Sequence, residues 1–419
     1  MSRGSLDGLR VIDLTTQLSG PYCTMVLSDL GADVIKVESP DGDSVRQQGP
    51  YHSQDVTRAF GGYFQSINRN KRSLVVDLKT EAGRDILLRL VETADVLVEN
   101  FRVGVMERLG LPYERLSAVN PKLVYAALRG FGDPRTGESP YSTWPSYDVV
   151  AQAMGGLMGI TGPDADHPTK VGPGAGDIFP GIFTAVAVLA ALRHAERTGE
   201  GQFVDVSMYD SVVALCERII YQHSYTGVVP KPQGNGNPQL CPFDLFPAAD
   251  GHVTIATPRD HQWDLLCRLI GRPELSADER YVTNTARVRH AEDVRNLLSE
   301  WTGSRTVTQI LDTLGGHVAV GAVHDAADLF EDQHIAARNM IVEVEHPGCP
   351  EPLAVVGRPM KFTRTPGPQT RRAPLLGEHG DEVLTSLGYS ATQISELHRA
   401  GVLGTQSNGS GEPDRVTVG

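Results

Sequence analysis

The chain is poor in aromatic residues, 6% of 419, and has only three tryptophans. Its five cysteines, Cys23, Cys216, Cys241, Cys267 and Cys349, form no CxxC and no close pair. That spacing gives neither a disulfide framework nor a zinc ribbon, and it fits reduced thiols in a cytoplasmic protein. Basic residues are the minority, 38 Lys and Arg against 51 Asp and Glu, for a net charge of −13. An acidic chain repels a polyanion, which disfavours nucleic acid as a partner. The opening MSRGSLDGLR has no apolar core of a signal peptide, and the longest apolar stretch, 182–192, is too short to span a bilayer. The thirteen histidines include no HExxH and no HxH, so no metal site is expected. GxSxG, a Walker lysine motif, and GxGxxG after the first strand are also missing.

What is present is ordinary for a folded protein: 40% apolar and 21% charged residues. At roughly 150 residues per domain the length predicts two to three domains. The first half alternates strand-like and helix-like segments. Strands are expected at 9–14, 33–38, 73–78, 95–98, 123–128 and 202–208, with helices between them at 21–31, 80–91 and 105–109. Thr80 is a candidate cap, and Ile86, Leu87, Leu90 and Val91 fall on one helical face. Strands separated by helices of this length predict crossovers and a mostly parallel sheet. A segment at 148–159 reads as a helix broken by Gly155 and Gly156. Residues 162–176 read as a Gly/Pro loop, followed by an Ala-rich helix with Pro180 near its first turn, and 210–223 reads as one helix. Residues 226–242 read as a linker. Beyond it Asp250-Gly251 signals a hairpin, with a strand at 252–256 and helices at 263–270, 291–301 and 307–314. Further strands are expected at 341–346 and 360–363, and a disordered tail at 405–419.

Three features carry candidate chemistry. In Gly174-Ala175-Gly176-Asp177-Ile178-Phe179-Pro180-Gly181 a carboxylate follows a flexible loop and precedes a helix. Such an aspartate ordinarily caps the helix. The same geometry also suits a nucleophile, with backbone N–H groups at the helix start available to an oxyanion. Lys79, Arg102 and Arg108 follow expected strands, where open α/β sheets bind ligands, and can converge on a phosphorylated ligand; a solvated face of scattered cations is the commoner reading of such residues. Tyr147-Asp148 opens the helix at 148–159, either as a cap with its tyrosine in the core or as part of a site.

The segments LDGLRVIDLTTQLSGPYC, GADVIKVE, NKRSLVVDLK, ADVLVENFRVGVMERLGL, NPKLVYAALRGFG, YDVVAQAMGG, GDIFPGIF, TGEGQFVDVSM and APLLGEHGDEVL, in this order, resemble the class III coenzyme A-transferase (CaiB/BaiF) family over about residues 6–400. The resemblance implies an α/β fold: a Rossmann-like large domain with a mostly parallel sheet, a smaller α+β domain, and an interlocked homodimer. It implies a large CoA-binding domain at 1–225, a linker at 226–242, a small domain at 243–335 and a return to the large domain at 336–400. It makes Asp177 the nucleophile that carries CoA as an aspartyl thioester between an acyl-CoA and a carboxylic acid. No permanently bound cofactor is implied. Gln17, Leu18, Ser19, Tyr147 and Asp148 would line the active site, and Val76, Lys79, Asn100, Phe101, Arg102 and Arg108 would bind CoA. The chain departs from the formyl-CoA transferase branch at Leu18 and Ser39. It also lacks that branch's run of four glycines, the nearest analogue being Gly234-Asn235-Gly236-Asn237. Both departures point away from oxalate and formate. The alternative within the fold is an acyl-CoA isomerase, either a 2-methylacyl-CoA racemase or an intramolecular CoA transfer. Tyr147 argues against racemisation, because a phenol with a pKa of about 10 shuttles protons poorly near neutrality.

Overall fold

A computed structural model describes residues 4–404; the expected tail at 405–419 lies outside them. The chain divides into two compact units, one of residues up to 157, 171–224 and from 337 on, the other of 158–170 and 225–336. The segment expected as a linker, 226–242, belongs to the second unit, as does 158–170.

The first unit is built on six parallel strands, β1 (Arg10–Asp13), β2 (Asp33–Glu38), β3 (Arg72–Val75), β4 (Val96–Glu99), β5 (Val124–Arg129) and β6 (Phe203–Ser207). Their order in the sheet is β3-β2-β1-β4-β5-β6. Every residue of β4 and β5 is buried, the signature of a parallel sheet covered on both faces. The helices of this half are α1 (Ser19–Asp29), α2 (Gly62–Asn68), α3 (Glu81–Glu92), α4 (Val105–Arg108), α5 (Tyr113–Val119), α6 (Asp148–Met154), α7 (Ala175–Thr198), α8 (Met208–Leu215) and α9 (Glu217–Thr226). Thr80 caps α3 by accepting the Gly83 N–H at 3.0 Å. Ile86, Leu87, Leu90 and Val91 are buried with Ile12, Ile35 and Leu97 in one of the two cores flanking the sheet. Ala185, Val188, Ala191 and Leu192 of α7 fill the other core, against Cys23, Leu27, Val98 and Val124. Among the described residues α7 is the one helix long and apolar enough to cross a membrane, yet half of its apolar window is buried inside the unit. Packing on the sheet accounts for the apolar residues of the buried half.

Three local expectations are corrected. The helix carrying Asp177 begins at Ala175 with Gly174 as its N-cap, so Asp177 lies in the first turn and is not the cap, and Pro180 lies in the second turn. The segment 210–223 is two helices, α8 and α9, parted at Cys216. No strand forms at 360–363. The strand pair is instead β10 (Ile341–Val344) with β11 (Leu353–Val356), after the second unit's β7 (Phe243–Pro247), β8 (His252–Ala256) and β9 (Ala319–Ala322).

In the second unit β7, β8 and β9 form an antiparallel sheet, with the expected turn at Asp250-Gly251 joining the first two. The sheet shares its core with Trp263, Leu266, Leu298, Ile310 and Leu314. Arg287 is fully buried there. It donates to the carbonyls of Cys241, Tyr281 and Pro258 at 2.6 to 2.8 Å and to Asp260 at 3.0 Å, which satisfies its charge.

Candidate active site

Ligands of open parallel sheets bind beyond the carboxyl ends of the strands, where the strand order reverses. Here that point lies between β1 and β4. The loops leaving these strands diverge and are tied by a reciprocal pair of hydrogen bonds. The Thr16 N–H donates to Asn100 Oδ1 at 2.9 Å, and Asn100 Nδ2 donates to the Thr16 carbonyl at 2.8 Å. Beneath them Asp13 accepts from Thr24 at 2.7 Å and from Lys71 at 2.9 Å, and Lys36 Nζ donates to the Thr15 carbonyl at 2.7 Å. Burial pushes the Asp13 carboxyl upward, but the Lys71 and Lys36 ammoniums outweigh it and hold the group at about 2. This charged floor fixes the loop, and Gln17 holds a left-handed backbone, φ 67°, with its amide on Ser44 Oγ at 2.7 Å.

Topology also dictates where Asp177 sits. α7 links β5 to the parallel strand β6, so it runs back along the sheet and starts at the carboxyl edge. Its close approach to α1 requires small residues. A Cβ on Gly181 would stand 2.6 Å from the Ser19 carbonyl oxygen, and one on Gly174 would stand 2.9 Å from Leu18 Cδ2. Asp148 fixes the start of the helix. Its carboxylate accepts the Gly176 N–H at 2.8 Å and the Gln152 amide at 2.9 and 3.0 Å. Thus Asp148 ties α6 to α7 and does not cap its own helix, whose N-cap is Tyr147.

These loops enclose a cavity of about 470 Å³. Nine of the twelve residues singled out in the sequence line it: Gln17, Leu18, Ser19, Asn100, Phe101, Arg102, Tyr147, Asp148 and Asp177. Tyr147 is 63% exposed at the cavity, not packed in a core. The other three do not line it. Val76 is buried, with its N–H on the Glu38 carbonyl and a backbone bridge to Leu403. Lys79 and Arg108 are exposed at the same carboxyl edge of the sheet.

Asp177 is partly buried. Burial first, and the neighbouring negative charge of Asp148 second, raise its carboxyl from 3.8 to about 7. The expected oxyanion donors at the start of α7 are already engaged: the Ala175, Gly176 and Asp177 N–H groups donate to Pro173, Asp148 and Gly174. α1, by contrast, has no side-chain cap and no acidic residue in its first turn, and its Leu18 and Ser19 line the same cavity as Asp177.

Four lining or supporting residues were missed in the sequence. Tyr63 sits on α2, a helix with no clear pattern; burial, then Asp177, Asp43 and Asp148, push its phenol up to about 12. Trp144 lines the cavity 53% exposed. Arg129 ends β5 and is neutralised by Glu99 at 2.5 Å and by Asp133. Gln152 could have been found, because it stands four residues after Asp148 and so shares its helical face.

The profile of CoA-transferase family III matches residues 6–380. The chain belongs to this family. It is 50% identical, over 92% of this chain and 97% of the relative, to the succinyl-CoA:mesaconate CoA-transferase of Haloarcula hispanica. It is 38% identical to the succinate–glutarate CoA-transferase of Agrobacterium fabrum, over 91% and 95% of the two chains. The crystal structure of a CaiB/BaiF family protein from Brucella suis superposes with a TM-score of 0.81 at 37% identity, over 92% of this chain and all of that one. The protein is a class III CoA-transferase, moving CoA from an acyl-CoA thioester to a carboxylic acid. Among the described residues no cluster of His, Cys, Asp or Glu could hold a metal ion, and all five cysteines of the transferase are unpaired.

Proposed function

We propose that this transferase carries CoA covalently on Asp177, with succinyl-CoA as donor and an unsaturated C4–C5 dicarboxylic acid of the mesaconate type as acceptor. The carrying observation is the Asp177 carboxylate itself, partly desolvated, facing a cavity beside the uncapped start of α1. Two free carboxylates repel and are weak nucleophiles, so exchange proceeds through acyl intermediates kept from water. Asp177 attacks the thioester carbonyl and expels CoA thiolate, leaving a mixed anhydride. The thiolate attacks the Asp177 carbonyl, which releases the donor acid and leaves an aspartyl-CoA thioester. The acceptor carboxylate attacks that thioester, again expelling thiolate and forming the acceptor–aspartyl anhydride. Thiolate then takes the acceptor acyl group and frees Asp177. Leu18, Ser19 and Gly20 N–H groups stabilise the oxyanions. Asn100 braces the Thr16 loop, Phe101 lies against the pantetheine or adenine, and Lys79, Arg102 and Arg108 line the path of the nucleotide. The dicarboxylate acceptors follow the substrates named for the two relatives cited above.

The working form in this reading is an interlocked homodimer. Ile182, Phe183 and Val186 of α7 are 40 to 58% exposed in the single chain, and a second copy would cover them.

Asp177→Ala should abolish exchange of labelled CoA between succinate and mesaconate while acyl-CoA still binds. Protein quenched during turnover should gain the mass of CoA, less water, on the peptide containing Asp177. Product formation without any adduct there refutes the covalent reading.

A further inference from the structure

We infer that Gln152 is a positioning residue of this transferase: it holds the Asp148 carboxylate and the 171–176 loop so that Asp177 points into the cavity. The inference rests on Asp177 being the nucleophile.

Gln152 is fully buried although it is an uncharged amide with four hydrogen-bonding sites. Its Nε2 donates to both Asp148 oxygens at 2.9 and 3.0 Å, and its Oε1 accepts the Val171 N–H at 3.0 Å. Asp148 in turn accepts the Gly176 N–H at 2.8 Å. Both ends of the loop VGPGAG are therefore fastened to one face of α6, by one amide and one carboxylate. A segment with three glycines in six residues has little stiffness of its own. Without these two bonds the start of α7, and with it Asp177, would sample many positions. A misplacement of about 1 Å costs on the order of a hundredfold in rate.

The amide also matters for charge. It is a neutral donor, so it holds the Asp148 carboxylate without cancelling the negative charge that acts on Asp177. An Arg or Lys in its place would do the first and undo the second. The titratable groups on the elements packed against α6 are few. Asp148 is on α6 itself, Asp177 lies in the first turn of α7, Tyr209 and the exposed Asp210 lie in the first turn of α8, and the Tyr63 phenol of α2 is near enough to feel the charges of Asp148 and Asp177. The remaining charged groups of α7, from Arg193 to Arg197, are at its far end.

The test compares Gln152→Leu with Gln152→Glu in the full-length enzyme. Leucine keeps the volume and removes both bonds. Glutamate reproduces both bonds when protonated and loses the donor when ionised, and a buried Asp–Glu pair shares one proton with a raised apparent pKa. Gln152→Leu should lower kcat by about tenfold or more with KM for succinyl-CoA within about twofold. Gln152→Glu should lie within about threefold of wild type at pH 6 and fall progressively behind it toward pH 9. Wild-type kcat in Gln152→Leu overturns the inference, as does an equal loss in both variants at every pH that tracks a fall in melting temperature. Asp177→Asn separates the two readings. If it keeps turnover, the aspartyl mechanism has failed. If it is dead while both Gln152 variants behave as wild type, only the positioning role has failed.

Discussion

Replacing Asp177 with Asn should make the protein more stable while destroying its activity, and the gain should depend on pH in a defined direction. Burial, reinforced by Asp148, lifts the Asp177 carboxyl from 3.8 to about 7 in the folded chain. The folded state therefore binds this proton more tightly than the unfolded state. The stability this proton linkage contributes is fully present below about pH 4 and is lost as pH rises toward and through about 7. The displacement corresponds to on the order of 4 kcal/mol at pH 8, as an upper bound for a partly hydrated carboxylate. Asparagine has nothing to ionise, so the variant escapes that penalty. At about 2.1 cal/mol/K of unfolding entropy per residue, the melting temperature should rise by up to about 5 °C at pH 8. The gain should shrink steadily toward pH 5. Thermal unfolding of both proteins between pH 5 and 8.5, alongside the CoA-exchange assay, measures it. A variant that is less stable than wild type at pH 8, or a difference that does not change with pH, would show that Asp177 is not held in the strained ionised state that the cavity and Asp148 impose.

Two further outcomes follow from the same geometry. Gly176→Ala would set a Cβ 2.5 Å from the Asp148 carbonyl oxygen and 3.0 Å from Ala151 Cβ; overpacking of that kind costs about 1–3 kcal/mol and should depress kcat more than KM, read by steady-state kinetics with thermal unfolding. Arg102→Ala and Arg108→Ala each remove one exposed cation from the carboxyl edge of the sheet. Each should raise KM for acyl-CoA roughly fivefold, about 1 kcal/mol, with kcat little changed, and the effect should fade at high salt. A loss of kcat alone would move these residues out of the nucleotide path.

Much of the first unit was legible in one dimension. β2 appears at the expected residues, and the Ile86-Leu87-Leu90-Val91 face of α3 is buried as its spacing requires. Hydrophobic period and capping residues act over a few positions, so they are readable without the fold. The carboxylate at 177, with glycines before it, was also visible. Its status was not. Whether Asp177 capped a helix or lay inside one turned on Gly176 meeting Asp148, 28 residues earlier, and on where α7 starts. Tyr63, the Asn100–Thr16 bracket across 84 residues, and the Lys36–Thr15 floor have no local signal. They exist because the sheet order β3-β2-β1-β4-β5-β6 brings loops far apart in the chain to one edge. Side-chain type and spacing are properties of short segments, and so the reactive group and its helix were there to be read. A raised carboxyl pKa and a shared cavity are properties of neighbours brought together only by folding, because burial and the field of another charge do not exist until the chain has closed around them.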